Sequence, residues 1–238
     1  MKIYGLIGKN LFHSFSTTYF KEKILKEKIS DTEYINFELG DIADFQKLIS
    51  ESKISGLNVT IPYKEEIIPL LDNLTDSAEA IGAVNTIEFR SDKMTGHNTD
   101  IIGFKKSITP ILGDRQKVLI LGSGGSSKAV KHALIELNIE HKIVGRNTSF
   151  NYADITSEVI GYYDVIINTT PLGMFPEIDS CPKIPYQYLN EKHLLFDLVY
   201  NPSKTLFLDY GNKHQCKIKN GLEMLQIQAE ESWNIWTL

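Results

Sequence analysis

The chain has 238 residues, 42% hydrophobic and 23% charged, the balance of an ordinary globular protein with room for one large or two small domains. The 25 basic residues against 30 acidic ones leave a formal charge of −5, the wrong sign for neutralising a nucleic-acid backbone or an anionic membrane, so neither partner is expected. Cys181 and Cys216 stand far apart and in no C-x-x-C spacing, which suggests neither a disulfide framework nor a zinc knuckle and suits a reducing cytoplasm; no metal site is expected.

Gly8, Lys9 and Asn10 interrupt the first apolar run before a secretory segment could form, and no later run approaches the roughly 18 apolar residues of a membrane span. Residues 3–7 predict a strand, and 19–28 a helix with Phe20, Ile24 and Leu25 at helical spacing. Residues 34–39 predict a second strand, 42–52 a helix, and 56–61 a third strand closed by Pro62. A helix follows over 72–81, with Thr75 or Asp76 near its start and Gly82 at its end, and 84–90 returns to strand. From 102 a helix to 111 leads into a strand over 117–121, a helix over 128–137 and a strand over 141–144, a βαβ unit of about 30 residues. Runs at 165–168 and 194–199 extend the same parallel sheet, whereas 151–160 and 175–190 read as connections. The last helix, 221–236, spaces Leu222, Leu225, Ala229 and Trp233 along one face and has no strand partner of its own, so it is expected to pack back on the first domain. The fold class is therefore α/β with two domains. An N-terminal α/β domain spans 1–101, a Rossmann dinucleotide-binding domain spans 102–220, and the returning C-terminal helix spans 221–238.

The βαβ unit carries Gly122-Ser123-Gly124-Gly125-Ser126-Ser127 between its first strand and its helix. Glycines there permit a tight turn and close backbone approach to a pyrophosphate, and the helix start offers unpaired N–H groups and a positive dipole end. The position inside a βαβ unit favours dinucleotide binding over a plain glycine turn. After the second strand an NAD site usually places Asp or Glu, and this chain has Gly145-Arg146-Asn147. Arg146 suits a 2′-phosphate, which favours NADP; the alternative is a solvated surface arginine. Thr169 ends the third strand of that sheet and faces the same crevice.

Four polar stretches stand apart in the first domain. In His13-Ser14-Phe15-Ser16 the serines are two apart, so in an extended segment both hydroxyls point one way and can grip a carboxylate; the alternative is a helix cap. Lys64 ends Asn58-Val59-Thr60-Ile61-Pro62-Tyr63-Lys64, Asn85 follows the turn at Gly82-Ala83-Val84, and Asp100 closes Gly96-His97-Asn98-Thr99-Asp100 at the domain junction.

Together these stretches resemble the shikimate dehydrogenase family, and the resemblance runs from Gly5 to the final helix. Further matches are Asn168-Thr169-Thr170-Pro171-Leu172-Gly173-Met174, Asp197-Leu198-Val199-Tyr200-Asn201-Pro202 and Asn220-Gly221-Leu222-Glu223-Met224-Leu225-Gln226-Ile227-Gln228-Ala229. The resemblance implies reversible reduction of 3-dehydroshikimate to shikimate with NADPH, on the route to chorismate and the aromatic amino acids. It implies Lys64 and Asp100 as the catalytic pair, for which a surface ion pair is the bland alternative. It further implies Ser14 and Ser16 on the substrate carboxylate, Thr60, Asn85, Asp100 and Gln228 on its hydroxyls, and Tyr200 against the substrate. On the cofactor side it adds Leu198 and Gly221 near the nicotinamide, and Asp76. Lys9-Asn10, Thr17 and Gly145-Arg146-Asn147 depart from the family pattern, the last of them beside the cofactor's ribose.

Rival readings are a quinate/shikimate dehydrogenase with relaxed cofactor use, a folate-linked dehydrogenase, and a catalytically silent dinucleotide-binding module. The small-molecule substrate is the expected partner, and a homodimer is compatible with the sequence.

Overall fold

The computed structural model describes residues 1–12 and 14–238, so the His13 end of the serine motif lies outside the described residues. The chain forms two compact units, Met1–Asp100 with Gln226–Leu238, and Ile101–Leu225. In chain order the first contains β1 (Lys2–Gly8), α1 (Phe15–Lys26), β2 (Thr32–Glu38), α2 (Asp44–Glu51), β3 (Ile54–Val59), β4 (Asn73–Leu74), α3 (Asp76–Ile81), β5 (Thr86–Arg90) and β6 (Lys93–His97). Then come α4 (Asp100–Leu112), β7 (Lys117–Leu121), α5 (Gly125–Glu136), β8 (Glu140–Val144), α6 (Ser157–Tyr162), β9 (Val165–Asn168), β10 (Leu194–Asp197), α7 (Leu206–Lys213), β11 (Lys217–Lys219) and α8 (Leu222–Thr237). The α/β reading holds in both units. No described helix is long and apolar enough to cross a membrane.

The first sheet runs β2-β1-β3-β5-β6-β4. β1 is parallel to β2 and β3, whereas β5 is antiparallel to both β3 and β6. One apolar cluster gathers Ile7, Phe45, Leu57, Val59, Tyr63 and Ile87. A second gathers Tyr4, Leu6, Phe20 and Tyr34 with Ala229, Trp233 and Trp236 of α8, so the last helix does supply core to the first unit. Trp236 stacks on Tyr4 with ring centroids 5.0 Å apart and donates Nε1–H to the Ile87 carbonyl at 3.0 Å. A Cβ on Gly56 would come within 2.5 Å of that indole, which is why β3 carries a glycine there.

Two boundaries differ from the sequence reading for local reasons. α1 starts at Phe15, because Ser14 is its N-cap and accepts from the Thr17 N–H at 3.4 Å. The extended segment expected for Ser14 and Ser16 is therefore not formed, and the helix-cap alternative is the one observed. α3 begins only at Asp76, because Thr75 caps it while residues 73–74 pair with β6; Gly82 ends it in the left-handed region at φ +67°.

The second sheet is wholly parallel, in the order β11-β10-β9-β7-β8. Its register aligns Leu121 with Val144 and Asn168, and Asn168 with Asp197. The segments after β7, β8, β9 and β10 therefore leave the sheet along one edge, and they carry the glycine loop, Arg146, Thr169 and Leu198 in turn. α5 starts at Gly125, three residues before the sequence reading places it, with Gly124 as N-cap.

Candidate active site

In the first unit Lys64 Nζ donates to Asp100 Oδ2 at 2.5 Å, with side chains only 13% and 7% exposed. Such burial makes the bland surface ion pair the wrong description. Lys64 lies just beyond β3, and its carbonyl accepts from the Val84 N–H at 2.7 Å, which ties the lysine to the turn leading to Asn85. Asp100 opens α4, where its other oxygen accepts from Asn85 Nδ2 at 2.9 Å. Asn85 is fixed in turn: its Oδ1 accepts from the Thr99 N–H at 2.7 Å, and its backbone N–H donates to the His97 carbonyl at 3.0 Å. Gln228, from α8, brings Oε1 to 3.3 Å from Asn85 Nδ2 and 3.2 Å from Thr99 Oγ1.

A buried polar layer backs this group. Ser232, one turn beyond Gln228, lies 2.7 Å from Thr86 Oγ1, 3.2 Å from Thr99 Oγ1 and 3.1 Å from Asn58 Nδ2. The Tyr34 phenol donates to Asn58 Oδ1 at 2.8 Å; burial pushes its pKa well up, and the nearby Ser16 hydroxyl of α1 offsets part of that rise. Sequence reasoning did not pick out Ser232 or Tyr34; the available signal for Ser232 is its i+4 spacing from Gln228 on one helix face. Ser14 keeps its hydroxyl proton for donation while its oxygen caps α1. Thr60 is half-buried, with its N–H on the Ile7 carbonyl at 2.9 Å. Asp76, also in this unit, sits in the first turn of α3 and bonds none of the other candidate residues.

The second unit gathers the remaining candidates. Gly122 has φ +115° and donates its N–H to Val144 at 2.8 Å; a Cβ there would lie 2.5 Å from Thr169 Oγ1. Thr169 is held by two donations to the Leu121 carbonyl, from its N–H at 2.9 Å and its hydroxyl at 2.8 Å. α5 has no side-chain cap and no acidic residue in its first turn, and a Cβ on Gly124 would meet nothing within 4 Å. Free N–H groups under open space suit a pyrophosphate, with Ser123, Gly125 and Ser126 around it. Ser123 packs against Gly145, and the adjoining turn is closed by the Gly145 N–H donating to Thr148 Oγ1 at 2.8 Å. That turn presents Arg146, which is exposed and makes no ion pair among the described residues. Gly221 donates to the Val199 carbonyl at 3.2 Å and lies so near the Leu198 backbone that a Cβ would overlap it. Tyr200 is half-buried, and burial pushes its phenol pKa up. No group of acids, histidines or cysteines among the described residues is arranged to hold a metal.

Residues 6–87 match the family model of the shikimate dehydrogenase substrate binding domain. The chain is 36% identical over 260 residues to shikimate dehydrogenase (NADP(+)) of Methanococcus vannielii, covering 98% of this chain and 90% of that one. The chain belongs to the shikimate dehydrogenase family. The crystal structure of shikimate dehydrogenase from Aquifex aeolicus superposes with a TM-score of 0.90 at 32% identity, covering 100% of this chain and 92% of that one. Quinate dehydrogenase from Corynebacterium glutamicum, in complex with NAD, superposes with a TM-score of 0.88 at 27% identity, covering 99% and 93%. The stretch matching the shikimate dehydrogenase substrate domain contains Lys64 and Asn85 but ends before Asp100 and Gln228, which the fold brings to them.

Proposed function

We propose that the chain is an NADP-dependent shikimate dehydrogenase that reversibly reduces 3-dehydroshikimate to shikimate, on the route to chorismate and the aromatic amino acids. The observation that carries this reading is the buried Lys64–Asp100 pair, braced by Asn85 and adjoined by Gln228. Bound NADPH supplies the hydride. Reduction of a ketone leaves charge on its oxygen, and the Lys64 ammonium stabilises that charge and gives it a proton; in oxidation the neutral amine takes the proton back. Asp100 accepts from Lys64 with one oxygen and from Asn85 with the other, so it holds the amine in place and accepts a substrate hydroxyl. Thr60, Asn85 and Gln228 read the other hydroxyls, Ser14 and Ser16 donate to the carboxylate, and Tyr200 lies against the ring. A site of this kind rejects an analogue lacking a hydroxyl, because a buried partner is then left unpaired.

In this reading residues 1–101 bind substrate, 102–220 bind NADP, and 221–238 return Gln228 to the substrate side. Gly122, Ser123, Gly124, Gly125 and Ser126 hold the pyrophosphate, Arg146 the 2′-phosphate, and Thr169, Leu198 and Gly221 the nicotinamide end, with Asp76 also on the cofactor side. The protein works in the cytoplasm, without nucleic acid or membrane, and a homodimer is compatible with this reading.

The likeness to an NAD-bound quinate dehydrogenase favours one second reading, a quinate/shikimate enzyme with relaxed cofactor use. Against it, the turn after β8 offers Arg146 and nothing acidic. Absorbance at the nicotinamide band with shikimate and quinate, each with NADP+ and NAD+, tests both. Shikimate with NADP+ is expected to give the fastest turnover; faster turnover with NAD+ or with quinate overturns the assignment.

A further inference from the structure

Asp197 is a fully buried carboxyl that the reaction scheme above leaves without a role. It closes β10, and three donors from separate segments converge on it. Oδ1 accepts from Asn168 Nδ2 at 2.9 Å and from the Val199 N–H at 3.0 Å, and Oδ2 accepts from Thr205 Oγ1 at 2.6 Å. Two of the donors lead to residues of the proposed nicotinamide end, and the third leads to the adjoining segment that carries Tyr200. Asn168 precedes Thr169, accepts the Leu198 N–H on its carbonyl at 2.9 Å, and uses its Oδ1 to hold the Thr170 N–H and hydroxyl at 3.0 and 2.7 Å. Val199 follows Leu198 and accepts the Gly221 N–H. Thr205 caps α7, accepting from the Leu208 N–H at 3.3 Å, and so closes the segment that contains Tyr200.

We propose that Asp197 is a positioning residue for the nicotinamide end of the cofactor, its ionised carboxylate clamping the segments after β9 and β10 in the arrangement that NADP requires. The inference rests on the cofactor reading above. Ionisation matters because all three partners point donors at the two oxygens, so a proton on Oδ2 would force the Thr205 hydroxyl to turn away or reverse its bond. Burial pushes the Asp197 pKa up to about 6 against the lowering effect of these donors, which places the change within a testable range. None of the facing groups is charged: Asn168 comes from β9, Thr205 from the start of α7, and the Val199 N–H from its own segment. The titratable neighbour is Tyr186, whose phenol is kept protonated by burial, by Cys181 and by the Asp197 charge. Asp209, in the first turn of α7, is engaged on the surface by Lys204 and Lys213.

The test measures the NADPH dissociation constant of the full chain by nicotinamide fluorescence from pH 5 to 8, with the KM for shikimate in parallel. Asp197→Asn is expected to weaken NADPH about 5-fold or more while changing the shikimate KM by a clearly smaller factor, since two of the three bonds to the charged acceptor lead to the nicotinamide end and only the Thr205 bond leads to the segment of Tyr200. Thr205→Val, which removes one donor from the carboxylate, should move the inflection in NADPH affinity upward by about half a pH unit or more. Thr205→Ser should restore it, and Asp197→Asn should remove the protein's share of it, leaving only the inflection of the ligand's own 2′-phosphate. The 2′-phosphate of the ligand itself titrates near pH 6, but equally in every variant, so it cannot produce a shift between them. If Asp197→Asn does not fold, the two Thr205 variants decide. An inflection unmoved in Thr205→Val, or equal losses for cofactor and substrate, overturns the proposal. Failure of the unaltered protein to bind NADPH at all overturns instead the cofactor reading on which it rests.

Discussion

Among individual residues, Lys64 was legible as a lysine beyond a strand end, but its burial and its 2.5 Å contact with Asp100 come from folding. Lys64→Ala is expected to lower kcat about 10²- to 10⁴-fold with a smaller change in the shikimate KM, because its main interaction develops as charge grows on the oxygen. Steady-state kinetics in both directions check this, and an unchanged kcat removes Lys64 from the chemistry. Ser14 illustrates a choice between two local roles. Two serines two apart suit an extended grip, yet unpaired N–H groups at a helix start recruit a hydroxyl before any ligand arrives, and the helix forms there. Ser127 carries a different cost. Its Oγ is buried without a hydrogen-bond partner among the described residues, in the first turn of α5 where the fingerprint usually has glycine. Ser127→Ala should therefore raise the unfolding free energy by about 1 kcal/mol. Denaturant titration reads this; a loss of stability would mean that the hydroxyl has a partner after all.

Legibility among the elements followed burial pattern. β7, with Val118 to Leu121 buried throughout, reads as a strand from its apolar run alone, and so does β9. β6 and β11 do not: Lys93-Met94-Thr95-Gly96-His97 and Lys217-Ile218-Lys219 carry little apolar pattern and become strands because a neighbour supplies the ladder. The short α6 and α7 lie outside the sequence reading, which took most of the α6 region, 151–160, as a connection. α8 was legible as a helix, and Trp236 shows what it does for the first unit. Trp236→Ala removes the stack on Tyr4, the bond to Ile87 and the filling over Gly56. It should cost about 3–5 kcal/mol, measured by urea unfolding, and a loss below 1 kcal/mol would show that α8 is not part of that core.

For the whole molecule, ligand linkage provides the check. NADP+ at 100 times its dissociation constant should stabilise the chain against unfolding by about 2.7 kcal/mol. Arg146→Ala should forfeit most of this at the same NADP+ concentration while leaving any smaller effect of NAD+ unaltered, because the guanidinium is expected to meet only the 2′-phosphate. Thermal unfolding followed by circular dichroism, with each dinucleotide, reads the outcome. Equal losses for both cofactors would assign Arg146 to some other contact.

By itself the amino-acid order determined what depends on neighbours along the chain. The strand–glycine–helix passage at 117–136 declares itself through an apolar run, residues free to turn and a helical period, all within about 20 positions. Tertiary structure alone decided what depends on distant partners. Lys64 meets Asp100 across 36 positions and Asn85 meets Gln228 across 143, and the order of the strands that bring them together is written in no local period. The physical reason is that hydrogen bonds and side-chain periodicity act over a few residues, whereas burial of the Trp236 face and satisfaction of the Asn58, Thr86 and Ser232 layer are settled only when segments far apart in sequence exclude water together.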